Sequence, residues 1–243
     1  MAAHPQGASP GRPPRIADQA TGVLRGVPLF AVLGDDGLTA ASRAGSTRTY
    51  AAGQIICHQG DPGDRLYVVL HGLVKVVFTS ERGNEIVLRT LGDAEVFGEL
   101  ALLDGSPRSA SVVAVESTLV FMLLRERLLE LMRQHPRLGD EFLRLLGQLV
   151  RRLTEQAGDL VFLDLPGRLA KLLLQLVGQH GAADGGAVLD RGLTQSDLAA
   201  MIGASRPAVN RALQSLAARG YLSVQGQAIT LLDTEGLRRR AEV

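Results

Sequence analysis

The sequence predicts an α+β chain: a small jelly-roll-like β-roll, a long amphipathic helix, and C-terminal short helices closed by a hairpin. Three observations predict it. Between residues 48 and 124, short β-rich runs alternate with Gly-rich turn signals. From Arg137 onward, Leu138, Phe142, Leu145, Leu149, Leu153, Ala157 and Leu160 recur at the spacing of one helix face. Residues 193–222 then hold two short helical patterns separated by a glycine.

In chain order, residues 1–21 carry Pro5, Pro10, Pro13 and Pro14 among Gly, Ser and Arg, and read as a disordered tail. Residues 22–44 are weakly helical, anchored by Leu29, Phe30, Leu33 and Leu38. Strands are expected at 54–57, 66–70, 73–78, 86–90, 111–114 and 118–123. The turn signals between them include Gln59-Gly60-Asp61-Pro62-Gly63, His71-Gly72, Glu81-Arg82-Gly83-Asn84 and Gly92-Asp93. Closely spaced strands of this kind make a small antiparallel roll. A helix over 125–134 stops near His135-Pro136, and the first domain is placed at 22–134. The long helix and hinge take 135–163, bending near Leu163-Asp164-Leu165-Pro166-Gly167. The last domain takes 164–243, with a helix at 168–177 and a Gly/Ala/Asp loop at 180–190.

The stripe on the long helix outlasts what a small barrel would bury. It reads as a seam with a second copy of the chain, with Phe142, Leu145, Leu149, Leu153 and Leu160 at the dimer interface.

Composition narrows the classes. The 243 residues are 46% hydrophobic, enough for a full core, and the net charge is +1. Any nucleic-acid contact must therefore come from a local patch. The single cysteine, Cys57, excludes a disulfide framework and a cysteine-ligated zinc site or iron–sulfur cluster within one chain. No apolar run is long enough for a membrane span, and the N-terminus lacks the apolar centre of a signal peptide, so a cytoplasmic protein is expected. No nucleophile–base pair, carboxylate dyad or metal-spaced cluster is visible, so there is no case for an enzyme.

The most informative segment is Phe97-Gly98-Glu99-Leu100-Ala101-Leu102-Leu103-Asp104-Gly105-Ser106-Pro107-Arg108-Ser109-Ala110. A permanent phosphate anion suits a planar Arg fork and nearby backbone N–H groups. A ribose 2′-OH needs an acceptor, which a carboxylate supplies. Gly98 allows close backbone approach, and residues 99–103 can form a turn whose N–H groups face the anion. The segment closely resembles the phosphate-binding cassette of the cyclic AMP receptor protein/FNR family of bacterial transcription regulators. The resemblance implies that Glu99 binds the ribose and Arg108 the phosphate of a cyclic nucleotide. Ser109 and the Ala110 N–H would close the cradle, with Gly98 and Leu100 lining it.

Downstream, Thr194-Gln195-Ser196-Asp197 is a capping-box signature with Asp in place of Glu. Leu198, Ala199 and Ile202 form the buried face of that helix, and Gly203 allows the turn. Ser205 caps a second helix, Pro207 fits its first turn, and Gly220 ends it. A hairpin follows over 221–224 and 228–232, completing a winged helix-turn-helix. Arg206, Asn210 and Arg211 share the exposed side of the second helix, with Ser205 at its end. Arg can read guanine bidentately in the major groove. The run Ile202-Gly203-Ala204-Ser205-Arg206-Pro207-Ala208-Val209-Asn210-Arg211-Ala212-Leu213 resembles the family's recognition region, with Arg206 and Arg211 matching its guanine-contacting arginines. Pro207 departs from it, standing where members often carry a Glu that reads cytosine, which implies altered readout at one base pair. Arg238, Arg239 and Arg240 read as a frayed, solvated terminus.

The resemblance covers about Val23 to Leu232. It implies a homodimeric transcription regulator controlled by cyclic AMP, binding a near-palindromic double-stranded DNA operator and meeting RNA polymerase, with no membrane partner. The match weakens at the base. Family members hold adenine partly with adjacent hydroxyls on the central helix, here Leu153 and Thr154. Thr154 can still hydrogen-bond the purine, in its own site or across the dimer; Leu153 cannot. The alternatives are a regulator binding DNA without cyclic AMP, one sensing another cyclic nucleotide, haem or redox state, and a cyclic nucleotide-binding regulatory subunit. Cys57 and His58 carry the haem or redox alternative, although His58 and His71 have no clear partner set. A buried small thiol is the default for Cys57.

Overall fold

The run from Ser46 to Leu124 folds as two antiparallel sheets, each four-stranded, packed face to face. The computed structural model describes residues 16–180, 187–189, 193–226 and 228–242. Strands β1 (Ser46–Tyr50), β2 (Ile55–Cys57), β3 (Arg65–His71), β4 (Val74–Thr79), β5 (Glu85–Leu91), β6 (Val96–Phe97), β7 (Ser111–Ala114) and β8 (Thr118–Leu124) divide as β1-β8-β3-β6 and β2-β7-β4-β5. Tyr50, Val69, Val74, Leu91, Phe97, Val112 and Val120 fill the space between the sheets. Helices α1 (Ile16–Gly26), α2 (Pro28–Ala31), α3 (Asp35–Ala44) and α5 (Arg125–Gln134) cover the outer face of the first sheet, with the start of α6 (Pro136–Phe162). The single helical turn α4 (Glu99–Asp104) interrupts the roll between β6 and β7. Strand β3 is buried on both faces, because one faces the roll interior and the other faces these helices. That is why residues 66–70 read as a continuous apolar run.

Two expectations at the N-terminal end are corrected. Helix α1 starts at Ile16, so residues 16–21 are helical rather than tail; Ala20 and Leu24, one turn apart, anchor it in the core. The rest of the expected tail, residues 1–15, lies outside the described residues. Strands β1 and β6 were not expected: β1 is polar, with only Tyr50 buried, and β6 has 2 residues.

Helix α6 carries two apolar faces rather than one. Leu138 and Phe142 are buried in the chain's own core, Leu145 packs against it, and Leu149 lines a cavity in the roll. Leu143, Val150, Leu153, Leu160 and Val161 face outward at 50–74% exposure. The placement of Phe142 at a dimer seam is therefore corrected, since a side chain 5% exposed within one chain is not available to a second. Phe142→Ala should cost about 3–5 kcal/mol of stability. The drop in unfolding midpoint should be the same at all protein concentrations, as denaturant titrations at two concentrations would show.

The C-terminal part contains α7 (Leu165–His180), α8 (Gln195–Met201), α9 (Arg206–Ala218) and α10 (Thr234–Ala241). A sheet of order β10-β11-β9 joins them, from β9 (Ala187–Leu189), β10 (Leu222–Gln225) and β11 (Ala228–Leu231). Leu169, Leu173, Leu198, Val209, Leu213 and Leu237 form its core. The expected loop at 180–190 thus includes a strand, held by pairing to β11; residues 181–186 and 190 lie outside the described residues. Over the described residues the C-terminal segment is helical rather than frayed. Asp233 caps α10 by accepting from the Gly236 N–H at 2.8 Å, Leu237 is fully buried, and Arg240 pairs with Asp164 at the start of α7.

Candidate ligand cavity and recognition helix

The segment between β6 and β7 builds one wall of a cavity of about 150 Å³ in the roll. Gly98 has φ +81°, and a Cβ there would lie 2.5 Å from Arg108 Nη1, so glycine is required both by conformation and by space. That geometry turns the chain from β6 into α4 and buries Glu99, while Leu100 and Ala101 also line the cavity. Gly105, at φ +71°, ends α4 and returns the chain toward Arg108.

Arg108 is 5% exposed and fixed before any ligand arrives. Its Nη1 donates to the Gly98 carbonyl at 2.9 Å and its Nη2 to the Arg65 carbonyl at 2.7 Å. Its guanidinium lies 5.1 Å from the Tyr67 ring centroid, and Tyr67 stacks on Phe97 at 4.8 Å. Its Nε is buried without a hydrogen-bond partner among the described residues. A buried unsatisfied N–H on a cation is costly, and an anionic oxygen would satisfy it. Glu99, 4% exposed, stands 3.5 Å from Arg89 Nη2, which also donates to the Val96 carbonyl at 3.2 Å. Burial pulls the Arg89 guanidinium below its ordinary range, with Glu99 opposing. Together Glu99 and Arg108 offer a buried acceptor and a buried cation to one small volume, with Ser109 and Ala110 on the same wall.

On the opposite wall, α6 contributes Leu149, Arg152, Leu153 and Gln156. Thr154 is not among the lining residues. Its hydroxyl donates to the Val150 carbonyl at 3.0 Å, on the exposed side of the helix. Cys57 lines the cavity, and burial pushes its thiol up, which favours the neutral form of a packed side chain. His58 is exposed, and His71 is 3.3 Å from Asp93.

The second constellation assembles as a helix-turn-helix. Thr194 and Asp197 form a complete capping box on α8, and Gly203, at φ +63°, makes the turn into α9. Ser205 is the N-cap of α9 by position, but its hydroxyl makes no capping bond among the described residues. Pro207 fits the first turn. Val209, Ala212, Leu213 and Leu216 are buried, while Ser205, Arg206 and Arg211 are exposed and Asn210 is half-buried. Two exposed guanidinium groups five residues apart in the first half of α9 are donors of the kind that read guanine in a major groove.

Comparison with known proteins follows this division. Residues 47–135 match the cyclic nucleotide-binding domain, and residues 167–240 match the Crp-like helix-turn-helix domain. The CRP-like cAMP-activated global transcriptional regulator of Mycobacterium tuberculosis is 36% identical over 193 residues, 79% of this chain and 86% of that protein. This chain belongs to the CRP/FNR family. The cyclic AMP receptor protein of Thermus thermophilus is 37% identical, over 82% of this chain and 89% of that one. A solved CRP/FNR-family transcriptional regulator from Thermus thermophilus superposes with a TM-score of 0.70 at 31% identity, covering 82% and 99% of the two chains. This CRP/FNR-family member is thus a DNA-binding transcription regulator with a cyclic nucleotide-binding domain.

One contact in this CRP/FNR-family chain joins the two functional halves. Lys75 on β4 donates to Asp197 of the α8 capping box at 2.5 Å, and α8 packs on β5. Burial pushes the Asp197 carboxyl up, but hydrogen bonds from Lys75 and Thr194 outweigh it and hold the group below the usual carboxylate range. A folded-state value below the unfolded one stabilises the fold above an unfolded pKa of about 3.9; that contribution is lost as pH falls through the folded value. Acid titration followed by far-UV dichroism should therefore show wild type losing more stability below about pH 4 than Asp197→Asn does.

Proposed function

We propose that this regulator acts as a homodimer whose affinity for DNA is controlled by a cyclic nucleotide, cyclic AMP, held between Glu99 and Arg108. The observation that carries the reading is the buried, unpartnered Arg108 Nε in the wall of the same cavity as the buried Glu99. Arg108 would hold the phosphate, with Ser109 and the Ala110 N–H closing the cradle, and Glu99 would accept from the ribose 2′-OH. Gly98 and Leu100 line the same wall. Cyclic AMP is favoured because the Mycobacterium tuberculosis relative is named as cAMP-activated and the Thermus relative as a cyclic AMP receptor. The outward apolar face of α6, running from Leu143 through Val150 and Leu153 to Leu160, supports pairing with a second copy.

The coupling has a physical route. Arg89 pairs with Glu99 in the nucleotide cavity and also lines the cleft between β5, α6, α7 and α8. Val76 lines the nucleotide cavity, while its neighbour Lys75 holds α8 through Asp197. A ligand that competes for Glu99 therefore acts on strands that also touch the helix-turn-helix. Its effect on DNA affinity equals its preference for one arrangement over the other. In the dimer two copies of α9 would enter successive major grooves of a near-palindromic operator, about 34 Å apart. Arg206 and Arg211 would read bases, with Ser205 and Asn210 beside them. The protein would work in the cytoplasm without catalysis, meeting RNA polymerase at promoters.

Isothermal titration of the purified full chain with cyclic AMP, after sedimentation has established its assembly state, tests this. Saturable binding at one nucleotide per subunit of a dimer is expected. Folded protein that binds no cyclic nucleotide would overturn the ligand assignment and leave a regulator that binds DNA by another control.

A further inference from the structure

The cavity wall supplied by α6 carries a choice of base that the Glu99–Arg108 wall does not. Ribose and phosphate are common to all cyclic nucleotides, so discrimination must come from side chains facing the base. On α6 the lining residues are Leu149, Arg152, Leu153 and Gln156. Two are hydrocarbon and offer contact area without polarity. Thr154 lies off this wall, with its hydroxyl on Val150. A base reaching α6 within one chain therefore meets a guanidinium or a carboxamide.

These two groups have different chemistry. Arg152 has donors only. It stands in charge contact with Arg89, and it also lines the neighbouring cleft with Glu99 and Glu141, which ties it to the carboxylate end of the cavity. Gln156 lies one turn further on and offers one acceptor and two donors. It is weakly committed: its side-chain nitrogen reaches the Leu88 carbonyl only at 3.5 Å, and the residue is exposed. Adenine presents its 6-amino donor beside the N7 acceptor, the edge a carboxamide matches with two hydrogen bonds. Guanine presents O6 and N7, both acceptors, and a carboxamide can satisfy only one of them through its NH₂ without setting oxygen against oxygen.

We propose that Gln156 is the base-reading residue of this chain and selects adenine through paired hydrogen bonds to the 6-amino group and N7. The proposal rests on the reading that the cavity takes a cyclic nucleotide. It assigns specificity to a side chain of the subunit's own α6.

Isothermal titration of full-length wild type, Gln156→Ala, Arg152→Ala and Thr154→Ala with cyclic AMP and cyclic GMP is the test. Wild type should prefer cyclic AMP. Gln156→Ala should weaken cyclic AMP roughly tenfold, within the range for a lost bidentate base contact, and leave cyclic GMP within about twofold, so the preference collapses. Arg152→Ala should weaken both nucleotides together. With 7-deaza cyclic AMP, which lacks the N7 acceptor, wild type should lose affinity while Gln156→Ala is indifferent; a purely structural role for Gln156 would not produce that coupling. Gln156 is on the surface, so the variant should fold, as dichroism can verify. A preference that survives Gln156→Ala overturns the proposal. So does a preference removed by Arg152→Ala or Thr154→Ala alone. Wild type that binds both nucleotides equally overturns it while leaving the cavity assignment intact; wild type that binds neither overturns both.

Discussion

Arg108→Ala should remove cyclic nucleotide binding. The side chain is a buried cation whose Nε has no hydrogen-bond partner among the described residues. Truncating one partner of a buried, hydrogen-bonded charge pair costs about 2–5 kcal/mol, or roughly 30- to 5,000-fold in affinity. The same change leaves the Gly98 and Arg65 carbonyls without their donor. A loss of stability of about 1–3 kcal/mol should accompany it. Arg108→Lys separates the two effects. It keeps a positive charge but loses the planar fork, so it should retain the fold and still bind weakly. Titration calorimetry on both variants, with dichroism to establish folding, gives the answer. Normal binding by folded Arg108→Ala would place the anion site elsewhere.

The second large effect belongs to α9. Arg206→Ala combined with Arg211→Ala should abolish sequence-specific DNA binding and leave nucleotide binding unchanged. Each bidentate arginine–guanine contact supplies about 1–3 kcal/mol of discrimination, so the pair should cost roughly 30- to 25,000-fold on a selected operator. Both side chains are exposed, and the buried side of α9 is made by Val209, Ala212, Leu213 and Leu216, so the domain should fold normally. Fluorescence anisotropy on the selected operator and on mixed-sequence DNA distinguishes base reading from charge: operator affinity should fall toward the mixed-sequence value. An equal fall on both DNAs would mean that the arginines contact phosphate alone. Pro207 has no acceptor side chain, so the base pair beside it should tolerate substitution in the same assay.

Much of this architecture was legible because local chemistry and tertiary context agree. The strand expected at 111–114 and the helix expected at 125–134 became β7 and α5, and the Thr194–Asp197 signature became a formed capping box. Glu99 and Arg108, nine positions apart in sequence, converge on one cavity because Gly98 and Gly105 both turn left-handed around the short α4. Illegible features were those whose stabilisation is non-local. Strand β1 is polar along most of its length and exists through its pairing with β8. Helix α10 looks like a basic tail until Leu237 and the Arg240–Asp164 pair are seen to tie it to the domain. The stripe on α6 was read as one seam because an apolar repeat does not say which neighbour covers it. Its early members Leu138 and Phe142 turn inward, and its late members Leu153 and Leu160 turn outward. A straight helix drifts relative to such a repeat, so one stripe can serve two partners. Of the two α6 positions that correspond to the family's adjacent hydroxyls, Leu153 lines the cavity, while Thr154 turns its hydroxyl to the Val150 carbonyl of its own helix.

The central claim is that occupancy of the Glu99–Arg108 cavity changes the hold of α9 on DNA. Measuring the affinity of the full chain for one selected operator, with and without saturating cyclic AMP at fixed salt, tests it most directly. The account predicts an affinity change of about fivefold or more, the scale of ordinary allosteric coupling, that disappears in Arg108→Lys at a cyclic AMP concentration saturating only for wild type. Equal operator affinity in both conditions, with nucleotide demonstrably bound, would contradict it.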